Sequence, residues 1–183
     1  MEKVWVFAYG SLMWRPDFPF LEARPAQLFG YHRALCIYSI RARGTSEIPG
    51  LVLGLDRGGS CVGRAYSVDA KNWEDVRTYL IDREMTTNVY TPTFLRLVLE
   101  GGERVDAYCF VARRDHVQYT GKLTDERMVE LLLQGVGQRG PATEYLANTV
   151  AHLDELGITA GPLHRILDKT EASASTKKTA LKR

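Results

Sequence analysis

The stretch VWVFAYGSLMW, residues 4–14, begins as a run of bulky apolar residues and breaks off abruptly at Gly10 and Ser11. Val, Trp and Phe at this density predict a buried β-strand over residues 3–9. Glycine allows unusual backbone conformations and lets a ligand approach the main chain closely. Main-chain N–H groups exposed in such a loop are suited to binding an anion such as a carboxylate. A simple turn after the strand explains the same residues, so both interpretations stay open.

Further along the chain, short apolar runs bounded by turn residues predict more strands. Two are expected at residues 90–99 and 104–112. Residues 25–39 predict a longer, bent strand or a strand pair. Residues 51–68 predict a hairpin whose tip is the sequence DRGG at residues 56–59, because paired glycines are typical of turns.

Helical periodicity appears in one segment between the strands and again throughout the last part of the chain. Asp69 is a candidate N-cap for the first helix, on which Trp73, Val76 and Leu80 share one face. Three later helices are expected at residues 124–135, 141–157 and 162–168. The composition then turns to Ala, Ser, Thr and Lys, which predicts a disordered basic tail over residues 171–183.

The order of these elements determines the fold class. Strands, one inserted helix, more strands and then helices indicate an α+β protein rather than alternating βαβ units. Strands as closely spaced as these can curl into a small barrel. A chain of 183 residues is typical of a single domain, and we assign residues 1–170 to it.

Composition and charge argue against several functional classes. The formal net charge is only +2, and no basic face with readable motifs indicates nucleic-acid binding. No run approaches the roughly 20 apolar residues of a membrane helix, so we expect no membrane partner. The odd number and wide spacing of Cys36, Cys61 and Cys109 favour reduced thiols in a cytoplasmic protein over a disulfide framework. The oligomeric state is left open.

Three sequence features that can mark a cofactor, metal or nucleophile site lack the context that such a site needs. GVGQRG, residues 135–140, has the glycine pattern of a dinucleotide site but follows a predicted helix instead of a strand. The four histidines show no metal-ligand spacing. Ser11 lies outside the G-x-S-x-G pattern of a nucleophile. We therefore predict neither a metal nor a cofactor.

DREM, residues 82–85, places Glu84 just past the first predicted helix. The partial negative charge of a helix C-terminus disfavours a carboxylate, and burial would also raise the pKa of its side chain. A glutamate in this setting can act as a general base. A solvated glutamate paired with an arginine is the alternative, and it is the simpler explanation of these residues alone.

Five motifs in order resemble the ChaC branch of the γ-glutamylcyclotransferases, over about residues 4–168. They are AYGSLMWRPDFP, GYHRALCIYS, RGTSEIPGLVLGLDRGGSCVGRAYSV, YLIDREM and TEYL. The resemblance implies an α+β fold built on a small mixed β-barrel flanked by helices. It also implies that the substrate is glutathione.

The resemblance assigns roles to particular residues. It implies that the γ-glutamyl part of the substrate is held by four consecutive residues, which we call the YGSL loop: Tyr9, Gly10, Ser11 and Leu12. Glu84 matches the catalytic glutamate of the family, and Tyr90 matches a tyrosine that lines the same pocket. Tyr145, in TEYL, is a recurrent family position whose role stays open.

The implied reaction closes a ring within the substrate. The α-amine of glutathione attacks its own γ-carbonyl, which gives 5-oxoproline and cysteinylglycine without water or metal. A loop amide or the Tyr9 hydroxyl is expected to stabilise the negative charge on the carbonyl oxygen. Two alternatives remain: a cyclotransferase for other γ-glutamyl amines or peptides, and a non-catalytic regulatory module related to cation transport.

Overall fold

A closed barrel of five strands is the main sheet of the computed structural model, which describes residues 2–180. In chain order the strands and α-helices are β1 Lys3–Ala8, β2 Glu22–Ser39, β3 Gly50–Asp69, α1 Trp73–Glu84, β4 Tyr90–Leu99, β5 Arg104–Ala112, α2 Asp125–Gln134, β6 Val136–Gly137, β7 Gly140–Pro141, α3 Ala142–Glu155 and α4 Gly161–Ala180. The barrel order is β1-β3-β2-β4-β5. The short strands β6 and β7 form a separate hairpin.

The barrel is a mixed sheet. Strand β1 runs antiparallel to β3 and parallel to β5, so that Val6 lies opposite Tyr66 on one side and Tyr108 on the other. The β2–β4 and β4–β5 ladders are antiparallel. The predicted fold class, α+β with a small mixed barrel and helices, is confirmed.

The chain packs as two compact units. The first contains the residues before Leu35 together with Gly54–His116, and the second contains Leu35–Leu53 and the residues from Val117 onward. Strands β2 and β3 contribute residues to both. The single domain predicted for residues 1–170 stays a prediction.

The core of the first unit fills the barrel with alternate residues of its strands, as the two-residue period of a strand requires. On β1 these are Trp5 and Phe7, and the half-buried ring of Tyr9 packs against the same core. Helix α1 places Trp73 edge-on against Tyr108 of β5, with ring centroids 5.2 Å apart. The remaining members of its predicted apolar face, Val76 and Leu80, are buried as expected.

The hairpin predicted for residues 51–68 is wrong, because β3 is one continuous strand of 20 residues. Gly58 and Gly59 both have positive φ, as a turn would need. They instead interrupt the strand locally, where His32 of β2 is hydrogen-bonded through Nδ1 to the Gly58 carbonyl at 2.9 Å. Such an interruption is typical of a β-bulge.

The last helix is longer than predicted. The sequence predicts a helix at residues 162–168 and a disordered tail from residue 171, but α4 continues through Ala180. Alanine and lysine, which are frequent in this segment, are strong helix formers and explain the extension. The end of the predicted tail, residues 181–183, lies outside the described residues.

Helices α2, α3 and α4 pack together in the second unit. Asp125, at the start of α2, pairs with Arg165 at 3.0 Å and Lys169 at 2.8 Å on α4. GVGQRG forms the end of α2 and the β6–β7 hairpin, where a side chain at Gly135 would lie 2.3 Å from the Gly50 Cα atom. These glycines therefore serve close backbone packing.

Cys36, Cys61 and Cys109 are all buried, and no disulfide joins them. The reduced state of these thiols in a cytoplasmic protein stays a prediction. Burial raises the pKa of the Cys61 and Cys109 thiols. Within the described part of the chain, no helix has the length and apolar character needed to cross a membrane.

Candidate active site at the end of the first strand

The YGSL loop begins where β1 ends. Ladder pairing stops at Ala8, and after Gly10 a short 3₁₀ turn covers Ser11–Met13. The Met13 N–H donates to the Gly10 carbonyl at 2.9 Å, and the Arg15 N–H donates to the Ser11 carbonyl at the same distance. The turn thus engages the carbonyl groups of the loop.

The N–H groups of the same loop, unlike its carbonyl groups, have no hydrogen-bond partner within the 3₁₀ turn. The first N–H groups of any helical turn have no partner within it. Among the residues that the structure describes, none accepts a hydrogen bond from the N–H groups of Gly10, Ser11 or Leu12. The loop therefore presents donors, which fits the predicted anion site.

Tyr9 anchors the loop to the barrel. Its hydroxyl donates to the main-chain carbonyl of Phe110 on β5 at 3.0 Å. A phenol has a single proton to donate, so this contact uses the proton that an oxyanion donor would need. Of the two donors considered from the sequence, the geometry favours a loop amide over the Tyr9 hydroxyl.

Arg33 fixes the main chain of the loop from the other side. Its Nε donates to the Tyr9 carbonyl, and its Nη2 donates to the Val62 carbonyl at 2.9 Å. Leu12 is buried, so its side chain helps to pack the loop rather than to face a ligand. Leu12 can therefore contact a substrate only through its main chain.

Glu84 is the last residue of α1 instead of lying past the helix as expected. Its side chain is 21% exposed, and its Oε1 lies 3.2 Å from the Nε of Arg83. The arginine pairing foreseen as the alternative is therefore present, but in a largely buried setting. Burial disfavours the carboxylate and the guanidinium favours it, so the predicted rise in its pKa stays a prediction.

Arg83 connects Glu84 with the YGSL loop. Its side chain is only 9% exposed, and its guanidinium donates through Nη2 to the Ser11 hydroxyl oxygen at 3.1 Å. The same side chain reaches the Arg15 carbonyl at 2.8 Å and the Tyr79 hydroxyl at 2.7 Å. The structure thus brings Glu84 and Ser11 together around one cation.

This position of Arg83 was not predicted from the sequence. The available signal was its place immediately before Glu84 in DREM. A charged residue in the last turn of a helix is usually solvated. Only the fold reveals that this guanidinium turns back toward a loop 72 residues earlier in the chain.

The two remaining predicted residues lie in different units. Tyr90 is buried at the start of β4, opposite Ala112 of β5. Tyr145 belongs to α3 in the second unit, where its hydroxyl accepts a hydrogen bond from the Leu53 N–H at 3.3 Å. The role of both residues in the site stays a prediction.

Potential metal ligands are dispersed. The described residues contain no group of three or more His, Cys, Asp or Glu side chains arranged to hold a metal ion. His152 pairs with Glu155, and His164 pairs with Asp154. Both histidine contacts belong to the helices of the second unit.

The family model of ChaC-like proteins matches residues 4–172 of this chain. Among curated relatives, the chain is 35% identical to the glutathione-specific γ-glutamylcyclotransferase of Escherichia coli strain K12, over 90% of this chain and 71% of that one. It is 28% identical to the human glutathione-specific γ-glutamylcyclotransferase 1, over 89% and 75% of the two chains. γ-Glutamylcyclotransferase 2-3 of Arabidopsis thaliana is 29% identical, over 84% and 81%.

Solved structures share the fold. A crystal structure of a γ-glutamyl cyclotransferase specific to glutathione from yeast superposes with a TM-score of 0.86, at 20% identity, and covers 94% of this chain and 97% of that one. A structure described as γ-glutamyl cyclotransferase gives a TM-score of 0.56 at 12% identity, over 90% and 86%. At these identities the likeness establishes the architecture alone.

Proposed function

The chain belongs to the ChaC-like protein family, and we propose from this premise that it converts glutathione to 5-oxoproline and cysteinylglycine. One structural observation carries the assignment of the active site: a candidate base, Glu84, and the donor-rich YGSL loop contact the same buried guanidinium. A base and an anion site held together are what the cyclisation of a γ-glutamyl group requires.

The first step removes a proton from the substrate. A free α-ammonium group has a pKa of about 8 and cannot attack a carbonyl. Glu84 accepts that proton, for which its ionised form is needed, and the Arg83 guanidinium favours this form. The neutral amine then forms a bond to the γ-carbon and closes a five-membered ring.

The YGSL loop holds the substrate in the attacking pose. A flexible γ-glutamyl chain must bend for its amine to reach its own γ-carbon, and well-oriented intramolecular reactions reach effective molarities of about 10⁵–10⁸ M. The N–H groups of Gly10, Ser11 and Leu12 bind one end of the chain and enforce that bend. Arg33 and Tyr9 keep the loop main chain in place during the reaction.

Charge and protons balance within the site. Negative charge develops on the γ-carbonyl oxygen, and one preorganised donor is worth about 2.7–4 kcal/mol there. A loop N–H is our candidate donor because the Tyr9 hydroxyl already donates to Phe110. When the bond to the cysteinyl nitrogen breaks, Glu84 gives its proton to that nitrogen. Glu84 then takes the second proton from the ring nitrogen and passes it to the freed amine, which leaves as an ammonium group. The two products leave without consumption of water.

Further features of the proposal rest on the family. Tyr90 is proposed to line the substrate pocket, as the resemblance implies. The cytoplasm, where glutathione and reduced thiols coexist, is the proposed compartment. Neither nucleic acid nor membrane is proposed as a partner.

The proposal is tested by incubating the purified chain with glutathione, without added cofactor, and measuring 5-oxoproline. Formation of 5-oxoproline and cysteinylglycine in equal amounts supports it. Release of 5-oxoproline only from other γ-glutamyl amines or peptides identifies the broader cyclotransferase, and absence of product from all of them identifies a binding module.

The base assignment has its own test. Glu84→Gln preserves shape but cannot accept a proton, so we expect a folded variant that has lost nearly all turnover. Glu74→Gln, an exposed position on the same helix, is the matched control and should match the wild-type rate. A Glu84→Gln variant with near wild-type turnover would show that another group is the base.

A further inference from the structure

The guanidinium of Arg83 bridges two chain segments from a nearly buried position. On one side it reaches the segment after β1, at the Ser11 hydroxyl oxygen, the Arg15 carbonyl and, at 3.4 Å, the exposed carboxylate of Asp17. On the other side it reaches its own helix, at Glu84 Oε1 and the Tyr79 hydroxyl. A guanidinium is a rigid planar fork of donors, so groups bound to it are fixed relative to each other.

The two groups that matter for the reaction both contact this guanidinium. Nε lies 3.2 Å from Glu84 Oε1, and Nη2 donates to the Ser11 hydroxyl oxygen at 3.1 Å. The carboxylate and the hydroxyl are therefore both held by one cation that is itself anchored to the loop region.

We propose that Arg83 is a positioning residue that holds the Glu84 carboxylate at a fixed place beside the YGSL loop. The inference rests on the proposed function, in which the base and the loop must act on one substrate molecule. Arg83 does not touch the reacting atoms in this scheme. Its charge favours the ionised carboxylate of Glu84, and its contacts tie that carboxylate to the loop region.

The same contact gives Ser11 a defined direction. Its oxygen accepts from Arg83, so its hydroxyl proton is free to be donated elsewhere. A hydroxyl that accepts from a cation is polarised and becomes a better donor. Ser11 thereby adds a directed side-chain donor to the main-chain donors of the loop.

A purely structural role predicts different behaviour from a positioning role. Arg83→Met keeps much of the side-chain bulk but removes the charge and every hydrogen bond. A misplacement of about 1 Å can cost about 100-fold in rate, so we expect kcat to fall about 100-fold with a smaller change in KM. Arg83→Lys restores the charge but not the fork, and it should recover only part of the lost rate. Arg77→Met, at an exposed arginine on the same helix, is the control and should leave kcat unchanged.

A pH profile separates the charge from the geometry. Without the guanidinium, the ionised Glu84 is less stable, and the acid limb of kcat/KM should move up by about one pH unit in Arg83→Met. Ser11→Ala removes one end of the bridge and leaves the ion pair. It should lower kcat by about tenfold without moving the acid limb.

A readout independent of turnover tests the proposal even if glutathione is not the substrate. The carboxyl carbon of Glu84 is followed by ¹³C NMR through a pH titration, with Glu84→Gln identifying its signal. We expect the midpoint to be higher in Arg83→Met than in the wild type, and unchanged in Arg77→Met. A wild type that forms no 5-oxoproline would overturn the proposed function alone. An unchanged Glu84 midpoint, or a folded Arg83→Met variant whose turnover stays within threefold of wild type, would overturn the positioning role.

Discussion

Replacing Tyr9 with phenylalanine separates the anchoring of the YGSL loop from catalysis. The substitution keeps the ring that packs against the barrel core and removes only the hydroxyl that donates to the Phe110 carbonyl at 3.0 Å. A hydrogen bond of this kind contributes about 0.5–1.5 kcal/mol to the free energy of unfolding, and a buried carbonyl left without a donor costs about 1–3 kcal/mol. For a chain of this length, each kcal/mol corresponds to a fall in Tm of about 2–4 °C.

The catalytic consequence of Tyr9→Phe should be much smaller than the loss of an oxyanion donor. Removal of such a donor lowers kcat by about 10²–10³-fold. Because the Tyr9 hydroxyl donates to a main-chain carbonyl instead, we expect less than a tenfold fall in turnover, together with the loss of stability. The measurements are 5-oxoproline formation from glutathione and thermal unfolding followed by circular dichroism.

Tyr31→Phe is the matched control, because the ring of Tyr31 also packs against the barrel core. If Tyr9→Phe slowed turnover as much as the loss of an oxyanion donor does, with Tm unchanged, the reasoning would be refuted. It would mean that the hydroxyl turns away from Phe110 and donates to the substrate. The Tyr9 hydroxyl would then replace the loop amides as the preferred donor to the γ-carbonyl oxygen.

Three further predictions concern the loop and the helices. Gly10→Val should raise KM for glutathione at least tenfold, because a branched side chain obstructs close approach to the loop main chain; an unaltered KM would contradict the loop's role in binding. Hydrogen bonding to the Ala160 carbonyl and then to Asp154 raises the pKa of His164. The stabilisation that protonated His164 contributes is therefore complete below the pKa of the unfolded chain, about 6.5, and is lost as pH rises through the pKa of the folded protein. The difference in Tm between wild type and His164→Gln should accordingly shrink toward alkaline pH, and a constant difference would argue against an imidazolium. Hydrogen bonds from Arg165 and then Lys169 lower the pKa of Asp125 to about 2. Asp125→Asn should therefore lower Tm at neutral pH, and this loss should become smaller in high salt and disappear as pH falls from about 3.8 through about 2. A loss of Tm that depends on neither salt nor pH would instead indicate an effect on the start of the helix.

The strands and the site loop could be predicted because local residues determine them. The continuous apolar run before Gly10 indicated a strand, and β1 is buried along its last four residues. The strands predicted at residues 90–99 and 104–112 pair as β4 and β5. Asp69 was predicted to cap the first α-helix, but it caps the 3₁₀ turn Ala70–Asn72 that precedes α1, where its side chain accepts from the Lys71 N–H at 3.1 Å. Such features need no knowledge of distant parts of the chain.

Other features depend on which neighbours the fold supplies. Gly58 and Gly59 have the residue types and positive φ angles of a hairpin turn, but they lie inside the single strand β3. The extension of α4 past residue 171 reflects helix propensity in a segment whose composition resembles a flexible tail. Arg83 was not predictable as part of the site, since its partner Ser11 is remote in sequence and becomes a neighbour only in the folded chain.

The polarity of the site follows from how the fold uses its hydrogen-bonding groups. The carbonyl groups of Tyr9, Gly10 and Ser11 all accept hydrogen bonds from the protein itself. The loop therefore offers N–H donors to a ligand, while Glu84 beside it offers an acceptor. A γ-glutamyl head group has the opposite arrangement, since its ammonium is a donor and its carboxylate and γ-carbonyl oxygen are acceptors. A substrate placed with its ammonium toward Glu84 has its acceptors toward the loop, and the reverse placement sets a carboxylate against a carboxylate. In the proposed mechanism, this arrangement favours the orientation that places Glu84 next to the amine that must lose its proton.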